Sequence, residues 1–567
     1  MLETYLRVLS THRGAGGADG AGRADESFSV GEALRGQGVQ RALAASATRA
    51  AARDSQLSAI VRQEQDIDRR ISGLFGSLAA ALSLAPSQRD DAAIERLRAE
   101  ADALRTARQV LHGEIQASFP DYAKLLSPGP VAANEVRAAL APGETLVAYY
   151  TGERETFVWA VSPGRPTAFA AISLPSSEAQ RIAGQLRAAL DPQVQFLGDI
   201  PEFNVALAHE LHEMLLRPVE SGWSGARSMF VVPHGPLAQV PFAVLVSRPS
   251  VLGREIEGRP LFSPYRAVSW LARDVALAQL PAAAALPMLR RIPPASASRQ
   301  AFLGFGDPVF GTAALVPTVA QDTVVARGGV SVATRAARLV RRNVPATSGL
   351  STAQLASLPP LPDTAEEVRS IAQALGADPV NDVRLGTAAS ERSVRDADLM
   401  RRKVIMFATH GLVPGDLDGL TLPALAMANP HSSDVGDDGL LTMDEVFALR
   451  MDADWVVLSA CNTASGNGDG AEAISGLGRA FFYAGTRALL VSNWPVETTS
   501  ARELTTDLFR RQAAAESPSR AEAMRETLVA MITEGGLTDP STGRTVFSYA
   551  HPIFWAPFVL VGDAGRQ

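Results

Sequence analysis

The sequence predicts a mixed α/β protein in which a mostly parallel central sheet is flanked by helices and preceded by a small β-meander and an N-terminal helical region. From about residue 205 onward, short apolar runs alternate with amphipathic stretches, which is typical of parallel strands covered by helices. Residues 140–175 hold three β-rich runs separated by turn residues. Residues 37–126 repeat apolar side chains every three or four positions, which favours helices.

Length and composition indicate a globular protein of several units. The chain has 567 residues, more than one hydrophobic core usually serves. It is 46% hydrophobic and 20% charged, which is typical of neither a disordered nor a membrane protein. The net charge of −7, without a long basic stripe, argues against nucleic-acid binding. We therefore expect protein or peptide partners.

Nothing in the sequence resembles a secretion or membrane signal. The first 20 residues lack an apolar core ahead of a cleavage site, and the apolar window at 275–289 is short and contains two prolines. We expect a cytoplasmic protein without membrane contact. The single cysteine excludes internal disulfides and multi-cysteine metal sites, and we expect neither a metal nor a cofactor.

The N-terminal part divides into a flexible segment and a helical region. Residues 1–36 are rich in Gly, Ala, Ser and Asp and are expected to be poorly ordered. Residues 37–130 are expected to form an antiparallel helical hairpin or a reduced tetratricopeptide-like unit. Its second helix should start near Asp90 and end before Pro120. The two apolar faces are Leu57, Ile60, Ile67, Ile71 and Leu74, and Ile94, Leu97, Leu104, Leu111 and Ile115.

A β-rich unit is expected over residues 131–204. Its three strands form a meander, and a helix follows them. The next segment, SMFVVPHGPLAQVPFAVL, predicts a strand, a turn and a second short strand. The predicted strands are 146–150, 156–161 and 167–172, the helix is 177–190, and the following segment is 228–245.

The parallel sheet is expected within residues 205–567. Gly485 should end one of its helices in a left-handed conformation. Residues 311–360 show no sustained period, and we interpret them as an insert that covers or regulates a cleft. The predicted strands are 301–306, 403–410, 454–461, 487–494 and 557–562, and the helices are 364–376, 472–485 and 500–515.

Two strand ends carry candidate catalytic groups. The run VIMFATHGLV ends its apolar part at His410 and Gly411, and WVVLSACNTASG ends at Cys461. Ligands bind beyond the carboxyl ends of parallel strands, and a nearby imidazole activates a thiol as a nucleophile. The main-chain amides of Gly411 and Cys461 are the natural pair to stabilise an oxyanion. The sequence therefore predicts a Cys-His dyad.

The chain from about residue 205 to residue 563 resembles a CHAT domain, the caspase-like peptidase domain often joined to tetratricopeptide repeats in bacteria. The family belongs to the same broad clan as caspases and separases. A histidine about 50 residues before the cysteine also fits the caspase class. The motifs that carry the resemblance are FVVPHGPLAQVPFAVL, LGFGDPVF, LPDTAEEV, RLGTAASE, MFATHGL, DDGLLTMDEVFALRMDADWVVLSACNTASG, GLGRAFFYAGTRALLVSNWPV and HPIFWAPFVLVG.

The resemblance implies a fold, a reaction and further site residues. It implies a caspase-type α/β sandwich and a cysteine endopeptidase in which His410 is the general base and Cys461 forms a thioester with the substrate. Ser492, Asn493 and Trp494 would line the cleft and pair with the substrate backbone. Asp307 would read a basic P1 side chain, with a structural turn as the other interpretation. A protein activator is expected to act through the N-terminal helical region.

Two other functions stay open from the sequence. One is a CHAT-like scaffold without turnover, which binds a partner through the N-terminal helices and recognises a peptide in its pocket. The other is a nucleotide-dependent switch built on the glycine cluster at 466–470. That cluster lacks the Gly-Lys-Ser/Thr ending of a P-loop.

Overall fold

The structure, a computed structural model, describes two long stretches of the chain and shorter pieces around them. It covers residues 2–11, 18–35, 63, 66–67, 70–71, 74, 91–118, 130–192, 194–293, 296, 298–311, 339, 341, 355–356, 358–413, 417, 420, 422–429, 437–459, 476–514, 518–539 and 541–565.

Most strands belong to one large sheet, and two smaller sheets accompany it. The strands are β1 (Glu144–Thr151), β2 (Thr156–Val161), β3 (Ala168–Ile172), β4 (Ser228–Val232), β5 (Ala276–Gln279), β6 (Gln300–Pro308), β7 (Val383–Gly386), β8 (Arg402–Ala408), β9 (Gly411–Leu412), β10 (Ala424–Ala426), β11 (Leu440–Thr442), β12 (Trp455–Leu458), β13 (Ala488–Ser492), β14 (Gly536–Thr538), β15 (Thr545–Ser548) and β16 (Phe558–Gly562).

Helices lie before and between these strands. They are α1 (Leu2–Thr11), α2 (Ala18–Leu34), α3 (Asp91–Ser118), α4 (Ala133–Ala139), α5 (Ser176–Leu190), α6 (Val205–Leu215), α7 (Glu220–Trp223), α8 (Leu271–Asp274), α9 (Ala285–Arg291), α10 (Pro362–Ala374), α11 (Glu391–Asp396), α12 (Met443–Ala448), α13 (Gly476–Ala484), α14 (Thr498–Gln512), α15 (Arg520–Thr533) and α16 (Pro552–Trp555). None of the helices in the described part of the chain is long and apolar enough to cross a membrane.

The large sheet is mostly parallel, as predicted. Its eleven strands follow the order β3-β2-β1-β4-β5-β16-β13-β12-β8-β6-β7. Neighbours run parallel except in the meander β1-β2-β3 and between β13 and β16. Strand β1 pairs in parallel with β4, from Glu144 beside Ser228 to Ala148 beside Val232. The meander therefore extends the same sheet rather than forming a sheet of its own.

Aromatic side chains cover both faces of the sheet. Trp455 on β12 packs edge-on against Phe509 of α14, with ring centroids 5.6 Å apart. Val404 lies beside Trp455 on the neighbouring strand and shares its face, so Phe407, three residues later, points to the other face. There it contacts Phe481 of α13 at 5.4 Å. Helices α13 and α14 thus lie on opposite faces, and the sheet is buried between them.

Helix α10 approaches strand β6 so closely that only glycine fits at two positions. A Cβ added at Gly304 would lie 2.6 Å from a methyl carbon of Val368, and one added at Gly306 would lie 2.8 Å from the same side chain. These contacts are well below van der Waals distance. The two glycines of the LGFG motif therefore set how tightly α10 covers the sheet.

Residues 2–11 and 18–35 differ from the prediction of a poorly ordered segment. Both α1 and α2 pack on the meander, where Phe28 contacts Trp159 edge-on and the indole of Trp159 donates to Ser27 Oγ at 2.8 Å. Gly31 lies against the same indole, in a space that no side chain could enter. Gly31, one of the small residues that indicated disorder, thus permits close packing on Trp159.

The helical region is described in part. Helix α3 has the predicted bounds, and Arg70, which lies in a helical stretch, pairs with Glu100 at 3.2 Å. Leu57 and Ile60 lie outside the described residues.

The predicted second strand within 228–245 is wrong. Residues 235–239 and 242–244 form short 3₁₀ turns instead. Pro236 and Pro241 lack the N–H that a strand ladder requires. Gly485 does end α13 with a positive φ of 120°, as predicted.

We expect Gly304→Ala to destabilise the protein by about 1–3 kcal/mol, because the added methyl overpacks the contact between β6 and α10. Gly184→Ala is the matched control, since Gly184 is exposed in α5 with open space around its Cα. It should be neutral or stabilising by up to about 1 kcal/mol. The shift in the urea midpoint measures both, and equal midpoints would contradict the packing argument.

Candidate active site

Four parallel strands bring the strand ends that precede the predicted site residues to one edge of the sheet. Strands β13, β12, β8 and β6 are consecutive neighbours and run in the same direction. Phe407 lies opposite Leu458, and the amide of Ser459 donates to Phe407 O at 3.0 Å. His410 and Cys461 each follow this pair by three residues. Cys461 itself lies outside the described residues, as does the glycine cluster at 466–470.

The imidazole of His410 is fully buried, and its orientation follows from a main-chain contact. Its Nε2 lies 2.9 Å from the carbonyl oxygen of Pro359. A carbonyl only accepts, so Nε2 carries the proton and Nδ1 carries the lone pair. The ring of Phe310 also contacts the imidazole, with the two ring centroids 5.5 Å apart. The contact with Pro359 could not be seen from the sequence, because Pro359 precedes His410 by 51 residues.

Gly411 directs its main-chain N–H away from its neighbouring strand. It lies in β9, which pairs antiparallel with β10, and the amide of Ala426 donates to His410 O at 2.9 Å. Hydrogen-bonded and non-hydrogen-bonded pairs alternate in such a ladder, so Gly411 and Leu425 are a non-hydrogen-bonded pair. Strand β9 is the edge of this three-stranded sheet among the described residues. The N–H of Gly411 therefore points to the side of β9 on which no other described strand pairs.

A buried carboxyl group holds the sheet that contains Gly411. Glu391 accepts the main-chain N–H groups of Asp438 at 3.1 Å and Gly439 at 2.5 Å. Burial raises the pKa of Glu391 to about 7, with a further contribution from the nearby carboxylate of Glu445. Arg395 contacts Glu391 at 3.2 Å. The residues just before β11 are thus anchored by Glu391, a group whose pKa lies near neutral pH.

Asp307 lies at the end of β6, beside the strand that leads to His410. Its φ of 47° is left-handed, and the β6–β7 pairing is irregular at this residue. The amide of Asp307 donates to Thr364 Oγ1 at 2.7 Å. The side chain is half-buried, and burial, followed by the charge of Asp363, raises its pKa. Asp307 thus lies at an irregular position within the strand itself. Both the turn interpretation and recognition of a basic side chain stay predictions.

Residues 492–494 lie at the predicted edge but are engaged within the protein. The amide of Asn493 donates to Pro557 O at 2.9 Å, and its carbonyl accepts from Arg187 at 2.7 Å. Trp494 is fully buried with the Arg187 guanidinium over its ring. In this conformation a substrate strand could not pair with Asn493. A role of Ser492 and Trp494 in lining the cleft stays a prediction.

A buried carboxylate that the sequence analysis did not single out supports the end of β12. Glu367 of α10 is fully buried and accepts the hydroxyls of Ser459 at 3.0 Å and Thr505 at 3.0 Å. Ser459 is two residues before Cys461. The only signal in the sequence was the LPDTAEEV motif, which does not show which of its two glutamates is buried.

Parts of the predicted insert contact the same edge. The side chain of Arg341 is 4% exposed and donates to Pro495 O at 2.9 Å and to Asp191 Oδ1 at 3.0 Å. Its main chain forms an antiparallel bridge with Glu497, shortly after Trp494. A second apolar cluster surrounds the region after His410 and consists of Phe310, Leu355, Leu358, Leu412, Leu417, Leu420, Ala424, Ala426 and Leu440.

The CHAT domain family matches residues 205–563, more than half of the chain. The chain belongs to the CHAT domain family. Among curated proteins, tetratricopeptide repeat protein 28 of Mus musculus is 26% identical over an alignment of 235 residues. This alignment covers 36% of this chain and 9% of the relative. The human protein of the same name is 25% identical and matches over 8% of its length. The chain thus spans less than a tenth of these relatives.

Two solved structures are also similar to this chain. A separase–securin complex from Saccharomyces cerevisiae is 9% identical with a TM-score of 0.39, over 96% of this chain and 37% of that chain. A complex of the RgpB pro- and mature domains from Porphyromonas gingivalis is 9% identical with a TM-score of 0.33, over 69% and 76%. The predicted family is confirmed, and so is the α/β fold class with a mostly parallel central sheet flanked by helices.

We expect Glu367→Ala to lower the free energy of unfolding by about 3 kcal/mol, since it leaves two buried hydroxyls without this acceptor and creates a void. The adjacent Glu366→Ala is the matched control. Its side chain is 66% exposed in an ion pair with Arg502, and the change should stay within about 0.5 kcal/mol. Thermal or urea unfolding compares the two. Similar losses would show that Glu367 does not support the strand end.

Proposed function

We propose that the chain is a cysteine endopeptidase in which Cys461 is the nucleophile and His410 is the general base. The observation that carries this proposal is the pairing of Phe407 with Leu458, because it makes the two strand ends that precede His410 and Cys461 immediate neighbours. Membership in a caspase-related family adds support. Neighbouring strands lie about 4.8 Å apart, so loops of three residues can bring the two side chains together.

The reaction follows from the proton on His410. With Nε2–H held by Pro359, Nδ1 can accept the thiol proton, and the thiolate then attacks the peptide carbonyl carbon. The outward N–H of Gly411, together with the amide of Cys461, stabilises the oxyanion. His410 returns the proton to the leaving amine, and a thioester remains. Water, deprotonated by His410, hydrolyses the thioester and restores the thiol.

Substrate selection is proposed to involve Asp307. The residue is half-buried on the strand next to the one that precedes His410, and a cationic P1 side chain would stabilise its charged form. A protein substrate fits this proposal, because no other described strand pairs with the outer side of β9 at Gly411.

The alternative is a scaffold that binds a peptide without turnover. The curated relatives are named for tetratricopeptide repeats, which favours a role in protein binding. The surface for an activator or partner would then be the N-terminal helical region, where α3 is largely exposed along its described side chains. The two functions differ in whether Cys461 forms an acyl-enzyme.

We expect Cys461→Ala and His410→Asn each to lower kcat/KM on a cleaved peptide by at least about 1000-fold, since each removes half of the dyad. A proteome-derived peptide library supplies the substrate, and a thiol-reactive activity probe should label the wild type at its single cysteine. Glu366→Ala serves as the control with unchanged activity. Cleavage that survives Cys461→Ala would refute the nucleophile, and a wild type without cleavage or labelling would favour the scaffold.

The insert is proposed to restrain the site. Arg341 fastens one part of it to Asp191, Pro192 and Pro495. Pro359 near its end and Phe310 just before its start contact His410. Release of Arg341 would loosen the segment without removing the carbonyl that orients the imidazole. While Arg341 holds it in place, the insert would act as an internal inhibitor.

We expect Arg341→Ala to raise the rate of Cys461 labelling by at least about tenfold, because three hydrogen bonds from a charged donor are lost and even one such bond contributes about 1.5–3 kcal/mol. Arg510→Ala is the control, since that side chain is 66% exposed and distant in sequence from the insert. Equal labelling rates in wild type and Arg341→Ala would refute the restraint.

A further inference from the structure

Three side chains with metal-binding groups lie on one face of α6. His209, His212 and Glu213 are spaced i, i+3 and i+4, which places them together on a helix. One ring nitrogen of each histidine and one carboxylate oxygen all lie within 4.8 Å of one another. The Nδ1 of His212 is 3.5 Å from Glu213 Oε1. The cluster lies far from His410 in the sequence. The elements that form it are also different from those that form the edge at His410.

His212 is the most informative member of the cluster. It is 5% exposed, and neither of its ring nitrogens has a hydrogen-bond partner among the described residues. Its ring contacts Trp223 edge-on at a centroid distance of 6.5 Å. A buried polar group without partners costs about 1–3 kcal/mol and is a common sign of an ion or water at that position. The imidazole therefore has coordination capacity that the described protein atoms do not use.

His209 is oriented as metal-bound histidines usually are. Its Nδ1 lies 2.8 Å from the carbonyl oxygen of Val246, so Nδ1 carries the proton and Nε2 carries the lone pair. A carbonyl that fixes the tautomer in this way is the usual outer partner of a ligating histidine. Glu213 is also fixed, since Arg217 donates to its Oε2 at 3.0 Å and leaves Oε1 towards His212.

We propose that His209, His212 and Glu213 bind one zinc ion or a similar divalent transition metal. Two imidazole nitrogens and one carboxylate oxygen are a known zinc donor set, with water at the fourth position. Calcium and magnesium prefer oxygen donors, so they should bind poorly. The metal would join α6 to the segment at Val246 through His209. The single cysteine excluded only cysteine-based sites, so the expectation of no metal did not address this cluster.

The test uses the full-length chain with Cys461→Ala, so that the proposed catalytic thiol and its histidine cannot supply the binding. After chelator treatment, the protein is titrated with zinc chloride in competition with a chromophoric chelator. We expect one zinc per chain, a higher thermal midpoint with zinc, and no binding of magnesium. Because the background lacks the nucleophile, the result is independent of whether the chain is a peptidase.

The matched pair is Glu213→Ala and Glu210→Ala, two glutamates on the same helix. Glu210 is exposed and outside the cluster. Glu213→Ala, and separately His212→Gln, should weaken zinc binding at least about 100-fold, while Glu210→Ala should leave it unchanged. No binding at 100-fold molar excess of zinc, or equal binding by Glu213→Ala and Glu210→Ala, would overturn the proposal.

Discussion

The main-chain pairing of β8 with β12 determines where the candidate site can form. Four registered pairs, from Val404 beside Trp455 to Phe407 beside Leu458, hold the strands together. A slip of one residue would turn every side chain to the opposite face and would bury the wrong set against α13 and α14. Because large aromatic side chains occupy both faces, the register is fixed strongly, and so is the position of the strand ends beyond it.

Much of the candidate site consists of main-chain atoms, and these come from distant segments. The carbonyl of Pro359 orients His410, and the amide of Gly411 faces the side of β9 on which no other described strand pairs. Pro359 belongs to the same insert that Arg341 fastens to the neighbouring loops. Deleting the whole insert would therefore also remove the contact that orients the imidazole. The segment proposed to restrain the site therefore also contributes to its geometry, and single side-chain changes are needed to separate the two effects.

The sequence predicted the parallel strands well, because runs such as VIMF and WVVL are apolar and rich in β-branched residues. It predicted the His-Gly pair at a strand end because strand order and chain direction follow general rules for α/β sheets. It failed where tertiary packing decides. Gly31 of α2 was among the residues that indicated disorder, but it allows contact with Trp159. Strand β5 was not predicted, because it is short and rich in alanine. The contacts of Pro359 and Glu367 join distant segments, and the importance of His212 depends on its burial. Neither a long-range contact nor burial produces a local pattern in the sequence.

The pairing of β1 with β4 has a consequence for proteins that share this domain. The family match begins at residue 205, whereas β4 is hydrogen-bonded along one side to residues 144–148. A fragment that started at the family boundary would leave a row of amide and carbonyl groups of a fully buried strand without partners. Bare edges of this kind recruit strands from other molecules and promote aggregation. Relatives that lack an equivalent meander must shield this border with another element, or with a second polypeptide.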